Sequence, residues 1–431
     1  MTRKTKGKRF ADDEMDLDDF GYEGNPNVRE KRDKMRFPQM PRWLNRVILI
    51  LILSVVGLLL WFNRVNLSPQ NLSEWVQSKV VGMGMGDGFP TDIANGRDIA
   101  PGNFFSVEKN VVVVSDTSLT MLNSTAKELV RRQHSFSSPV AKAWGQRVLI
   151  YNLGGKGYQV EGFSKSGERA IADANILAGS IAGNGRIALA TESKGYNSKM
   201  TVYLENGKPQ YTYDFSEYYV THIALNRNGT KAAVAGVSAL NGGLVSTVYL
   251  FDFSNPKPVK QFTYEENLML SLDYGQNGTI VAVGDRLTSV ISESGNKTDY
   301  SYGSQSFLGC AVDNGRTALL LSPYANADSA SLILLDNLGK QSASVPLQKP
   351  AGAVSLYGDT AAVLLNDGTI RAYSVAGGTE KGSCDGGEDA RTLTLRDESS
   401  VYILGFSEIR MGRFVQAQHS ASSAVQNASG S

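Results

Sequence analysis

At 431 residues the chain exceeds the usual size of one compact core, although repeat folds lengthen by adding units. Its charges nearly cancel, and residues 65–431 carry 30 Lys/Arg against 33 Asp/Glu with no basic stripe, which excludes the electrostatic footprint of a nucleic-acid binder. Two cysteines, Cys310 and Cys384, are too few for a disulfide framework.

Residues 1–42 hold two basic clusters around an acidic run (Asp12 to Asp19) and too few large apolar residues to bury a core, so a disordered tail is expected. The acidic run lacks the Gly and terminal Glu of an EF-hand loop. Residues 43–63 follow as an almost unbroken apolar stretch between Trp43 and Trp61. Twenty residues at 1.5 Å each reach about 30 Å, the thickness of a hydrocarbon core, with aromatic residues at both interfaces. The long polar lead and the lack of a small-residue cleavage site argue against a signal peptide. Seven Lys/Arg lie between Arg29 and Arg46 and only Arg64 follows closely, so the positive-inside rule puts the N-terminus in the cytoplasm and the rest outside the cell membrane. Ser68-Pro69 reads as a helix start, giving a short juxtamembrane helix and then a Gly-rich hinge within residues 64–88.

From there one phrase recurs: apolar strand, Asn-Gly turn, apolar strand. It appears around Asn184-Gly185, Asn228-Gly229, Asn277-Gly278 and Asn314-Gly315. Asn-Gly accepts positive φ at both central positions and so predicts two-residue hairpins. Inner strands are expected to start near Phe104, Val140, Leu177, Thr221, Met269, Phe307, Gly352 and Ala390, an interval of 36 to 48 residues. That is the mark of an all-β propeller of eight four-stranded blades, with seven as the alternative count, spanning residues 89–414 after one transmembrane helix. The last unit supplies only three strands, and residues 89–93 are expected to complete it and remove an open edge. Residues 415–431, rich in Ser, Ala, Gln and Asn, read as a flexible tail.

Gly-Lys turns (Gly207-Lys208, Gly339-Lys340), the Gly-Asp-Gly-Phe-Pro stretch at 86–90 and Asp116-Thr-Ser-Leu-Thr-Met-Leu122 carry a resemblance. With the basic tail and apolar segment, the chain resembles an uncharacterised family of single-pass, membrane-anchored propeller proteins of Gram-positive bacteria, within the PQQ-like/WD40-like superfamily. The resemblance implies the fold and the anchor. It brings no activity and no site residues.

Catalytic signatures are missing from the sequence. Three scattered histidines, His134, His222 and His419, do not make a zinc site, although His222 falls on an inner strand and is the one placed to face a central channel. Ser124-Thr-Ala-Lys127 matches Ser-x-x-Lys but falls on a hairpin turn. Quinone-dependent dehydrogenases repeat a Trp docking motif in most blades, whereas Trp144 is the only tryptophan of these units. Cys310, inside an apolar strand, reads as a structural thiol, and Cys384 as lying in a Gly-rich loop. No catalytic, cofactor or metal residue is therefore assigned. The longest loops, 192–199, 236–246 and 322–329, share one face and hold or adjoin Tyr196, Tyr218, Tyr219, Leu240 and Tyr324, the candidate contact residues. The expectation is a non-catalytic scaffold binding another cell-envelope protein or a wall polymer. The alternatives are an enzyme at the channel mouth and a transmembrane sensor.

Overall fold

The computed structural model describes residues 42–62, 85–93, 99–163, 167, 169–323 and 329–415. The expected juxtamembrane helix, Tyr324, His419, and the tails up to residue 41 and from residue 416 lie outside the described residues. The chain divides into two units at Trp61–Phe62. The first contains a 21-residue helix, Arg42–Phe62, whose apolar residues from Val47 to Leu53 are all exposed. Taken over the described residues, no helix is long and apolar enough to cross a membrane.

The second unit is an all-β propeller of eight four-stranded antiparallel sheets. Its inner strands are Phe104–Val107, Pro139–Trp144, Ile176–Ile181, Tyr219–Leu225, Met269–Tyr274, Ser306–Asp313, Ala351–Tyr357 and Thr392–Asp397, numbered here as blades 1 to 8. Second strands are almost wholly buried runs such as Val111-Val-Val-Val114 and Ala361-Ala-Val-Leu364. A strand covered on both faces by neighbouring blades needs apolar residues at every position, so the alternation of a half-exposed sheet is lost there. Small Ala at 188, 190, 232, 233, 235, 361 and 362 lets adjacent sheets approach closely.

The ring closes between the two ends of the chain. Thr91–Asp92 pairs with the last strand, Glu408–Arg413, in the register Thr91↔Ile409 and Asp92↔Glu408, and the Ile93 amide donates to Ser407 at 2.8 Å. The expected hinge is partly fixed. Gly86 donates to the Thr125 hydroxyl at 2.9 Å and Gly88 to the Thr125 carbonyl at 3.1 Å, while Phe89 packs on the buried Tyr402 ring. At the other end Val415, expected in the tail, exchanges both backbone hydrogen bonds with Ser383 on the outer strand of blade 7.

Three of the four Asn-Gly turns differ from the two-residue form. Only Gly185, Gly229 and Gly278 have positive φ there, and each glycine amide closes a tight turn onto the residue three back. This is a type I turn followed by a left-handed glycine, which lets the Asn side chain accept the amide two residues on, as Asn184 does from Arg186. Asn314-Gly315 alone keeps positive φ at both positions. The same turns lock neighbouring blades: Asn184 Nδ2 donates to Asn228 O at 2.8 Å, and Asn277 Nδ2 to Asn314 O at 3.1 Å.

Candidate interaction surface and central channel

Blade 4 departs from the repeat. Its middle strands, Lys231–Leu240 and Gly243–Asp252, are ten residues each, against five to seven for the second strands elsewhere. Residues 236–246 therefore do not form the expected loop; the strands continue pairing to Leu240↔Gly243 and turn through Asn241-Gly242, both at positive φ. The inner strand stops pairing at Tyr219↔Val237, so about three residue pairs project beyond it, roughly 10 Å at 3.3 Å per residue.

At that tip Leu240 is 57% exposed and Leu244 40% exposed, and Tyr219, at the start of the inner strand, is 55% exposed. Tyr196 is also exposed, in the loop joining the middle strands of blade 3 at the same end of the sheets. Tyr218 is a different kind of residue: half-buried, it packs edge-on against Tyr249 with centroids 5.8 Å apart, in a seam that includes Phe215 and Phe251. Leu244 was not singled out from the sequence. Its signal is the β-rich run on both sides of Asn241-Gly242, a further instance of the apolar strand, Asn-Gly turn, apolar strand phrase.

The channel holds a second group. Electrostatic interaction links Lys142 of blade 2 to both His222 of blade 4 and Asp273 of blade 5, and Asp273 to Asp313 of blade 6. Side chains on blades that are not neighbours can interact only across the axis, so these groups face the channel. Lys142 is exposed to water although protein crowds it on every side, as a water-filled channel requires. Burial, with Asp313 adding to it and Lys142 opposing it, raises the Asp273 carboxyl to about 6. Burial and the Lys142 charge lower His222 to about 4, so its imidazole is neutral at pH 7; its Nδ1 lies 3.1 Å from the Thr221 hydroxyl.

Register sets Asp273 apart from its counterparts in the other blades. The inner strands of blades 3 to 7 share a bulge at Leu177, Thr221, Leu270, Leu308 and Gly352. Three residues after it stand Ser180, Ala224, Asp273, Ala311 and Ser355. Ser180 accepts the Leu225 amide at 3.0 Å and Ser355 the Leu395 amide at 2.9 Å, each tying its blade to the next. Asp273 puts a carboxylate where the repeat elsewhere uses a small hydroxyl or methyl.

Among the described residues no three His, Cys, Asp or Glu side chains converge as metal ligands. Burial pushes both thiols up to about 11, which keeps them protonated and unreactive at neutral pH. Cys310 is half-buried on the blade 6 inner strand, and Cys384 lies on the outer strand of blade 7, Glu380–Asp385, rather than in a loop. Ser124 and Lys127 fall in the turn between the outer strands of blade 1, where the Asn123 carboxamide accepts the amides of Thr125 and Lys127.

The pattern of a family of unknown function, DUF5711, matches residues 91–409, which is nearly the whole ring. No curated protein matches the sequence. The structure is similar to the C-terminal WD40 domain of Sif2, with TM-score 0.54 at 12% identity over 77% of this chain and 100% of that one. It is also similar to Sqt1 of Saccharomyces cerevisiae, with TM-score 0.52 at 11% identity, and to the computationally designed Ika8 protein, with 0.53 at 13%; each comparison covers 77% of this chain and 100% of the other. At these identities the likeness is one of fold.

Proposed function

The chain belongs to this family of unknown function, and from that premise we propose that it is a membrane-tethered, non-catalytic scaffold whose propeller binds a partner protein outside the cytoplasm. The observation that carries the binding role is the projecting blade 4 hairpin, which holds Leu240 and Leu244 in water beside Tyr219. The hairpin extends past the inner strand while its return strand stays paired with the outer strand as far as Val245↔Glu265, so Leu240 and Leu244 at its tip are the apolar side chains left uncovered. Large apolar and aromatic side chains at such a place are the composition of an interface core. The tether rests on the sequence, where residues 43–63 form an almost unbroken apolar stretch between Trp43 and Trp61, and on the exposure of Val47 to Leu53 along the helix Arg42–Phe62, although no helix among the described residues is by itself long and apolar enough to cross. The excess of Lys/Arg on its N-terminal side supports a cytoplasmic N-terminus. In this reading Lys142, His222 and Asp273 have a structural role.

Crosslinking in native membranes followed by affinity recovery of the full chain tests the binding role. Leu240→Asp and Tyr219→Ala should each cost about 2 kcal/mol of binding, roughly 30-fold, without lowering the melting temperature. Undiminished recovery with both variants would reject the hairpin as the contact. Turnover of a substrate by the purified protein, abolished by a folded His222→Ala variant, would replace the scaffold with a channel-mouth enzyme.

A further inference from the structure

The blade 4 hairpin offers a backbone edge as well as side chains. Leu240 and Gly243 flank its two-residue turn, so the Leu240 carbonyl faces the Gly243 amide across it. Successive residues of an antiparallel strand address opposite neighbours. Leu240, Ser238 and Gly236 therefore bond to the return strand, while Ala239 and Val237 turn their amides and carbonyls to the other side. Two hydrogen bonds fix this phase. Leu244, opposite Ala239, accepts the Glu266 amide at 2.8 Å from the outer side of the blade, and Val220, opposite Gly236, gives its amide to Ser198 of blade 3 at 3.1 Å. Val237 is matched by Tyr219, the first residue of the inner strand. Ala239 is exposed, with no strand beside it among the described residues.

The edge is bare because the chain before Tyr219 is held elsewhere. The Ser198 hydroxyl donates to the Tyr218 carbonyl at 3.0 Å, which ties the approach to the inner strand to blade 3. By the pleat, Tyr219, Val237, Ala239 and Leu244 fall on one face of the sheet, and Ser238 and Leu240 on the other. A strand laid along Ala239 thus meets apolar side chains on both faces. Its surroundings are acidic. Glu217 is exposed two residues before Tyr219, and exposed Glu265 shares a cross-strand row with Ser238 and Val245; neither is in an ion pair among the described residues. Glu266 is committed to Arg286 at 3.0 Å, and Lys194 of the blade 3 loop is balanced by Glu192 in the same loop.

We infer that the partner enters as an added strand: an extended segment of alternating apolar and basic residues that pairs with Ala239 and continues the line of the inner strand. The inference rests on the hairpin contact proposed above and names its chemistry. Backbone bonds to Ala239 set the register, apolar residues cover Tyr219, Leu244 and Leu240, and Lys or Arg answers Glu217 and Glu265.

The probe is a heptapeptide of alternating lysine and valine, titrated to about 1 mM against the labelled full-length protein in zwitterionic detergent and followed by thermophoresis. It should bind with a Kd of about 0.1 mM, as befits a short strand. Ala239→Pro removes an amide that the free hairpin leaves unpaired, so the melting temperature should hold while binding weakens at least tenfold. Hydrogen exchange at the native Ala239 amide should slow at least tenfold with saturating peptide, a reading independent of the proline variant. Glu217→Lys should weaken binding about threefold to tenfold, and a glutamate–valine heptapeptide should not bind. No binding at 1 mM, or equal binding of the acidic peptide, would overturn the assignment. So would binding indifferent to Ala239→Pro without slowed exchange, or Ala239-dependent dimerisation of the chain alone, which would make the occupant a second copy. If Leu240→Asp and Tyr219→Ala abolish recovery of the native partner but Ala239→Pro does not, the side-chain contact stands and strand addition falls. If none of the three affects recovery, both fall.

Discussion

Replacing Asp273 by Asn should stabilise the propeller, by an amount that depends on pH. The carboxyl rises from 3.8 to about 6 on folding, because burial and Asp313 disfavour its charged form more than Lys142 favours it. An acid raised in this way contributes stability that is complete below pH 3.8 and is lost as the pH climbs through about 6. Taken whole, the displacement is worth about 3 kcal/mol at pH 8, and water in the channel reduces it to between about 1.5 and 3 kcal/mol. At pH 5 the carboxyl is still mostly protonated in the folded protein and the undiscounted penalty is roughly half as large, so the gain from Asn should halve. His222 has the opposite slope. Its folded value of about 4 lies below 6.5, so its contribution is lost as the pH falls from 6.5 towards 4. The two slopes nearly cancel in the native chain, which should show a flat stability profile between pH 5 and 7. Asp273→Asn should leave only the His222 slope. Urea unfolding of the full chain at several pH values measures both effects. A gain larger at pH 5 than at pH 8, or a loss at pH 8, would refute the placement of Asp273 in a crowded channel.

Other outcomes follow from the same geometry. Ser355→Ala removes the acceptor of the Leu395 amide and should cost about 1–2 kcal/mol in urea unfolding. Gly86→Val drives a side chain into the backbone of Thr125 and Lys127, so the 85–93 segment should lift and hydrogen exchange at the Ile93 amide should accelerate. Deleting residues 1–93 exposes the outer edge of Glu408–Arg413 and should cause aggregation or loss of cooperative melting, whereas a chain beginning at residue 82 should melt as one unit. Protease added to intact, wall-stripped cells should remove a C-terminal tag and spare an N-terminal one; the reverse would defeat the proposed topology.

The blade count and ring closure were legible because a propeller repeats its local signals. Inner strands are mostly apolar, the first hairpins of blades 2 to 7 each turn at a glycine, and a three-stranded last unit demands a fourth strand from elsewhere. Turn geometry was less legible. Asn184-Gly185 and Asn314-Gly315 share a dipeptide but form different turns, since the choice depends on how many residues lie between the paired strands. The 236–246 segment was read as a loop because Ser, Asn and Gly gather there, while cross-strand pairing carried the hairpin through it. Tyr218 and Tyr219 are identical neighbours in sequence, yet Tyr218, just before the inner strand, packs into the aromatic seam while Tyr219, its first residue, stands in solvent. The Lys142–His222–Asp273 group could not be found by spacing, because its members lie 80 and 51 residues apart and meet only across the axis of the ring.

Functional sites on a repeat fold are best sought where one unit breaks the rule the others keep, because the shared features are already explained by closing the ring. Two departures meet in blades 4 and 5. The middle strands of blade 4, Lys231–Leu240 and Gly243–Asp252, are longer than their counterparts, and Asp273 replaces the hydroxyl or methyl found at its register position. Each departure leaves a cost unmet by the fold: apolar surface in water and a carboxylate in a crowded channel. Stability alone would favour a shorter hairpin and serine at 273. The predicted gain from Asp273→Asn measures one of these costs directly. If that gain is found while partner recovery depends on Leu240 and Tyr219, the channel group acts as a structural exception and recognition belongs to the blade 4 hairpin.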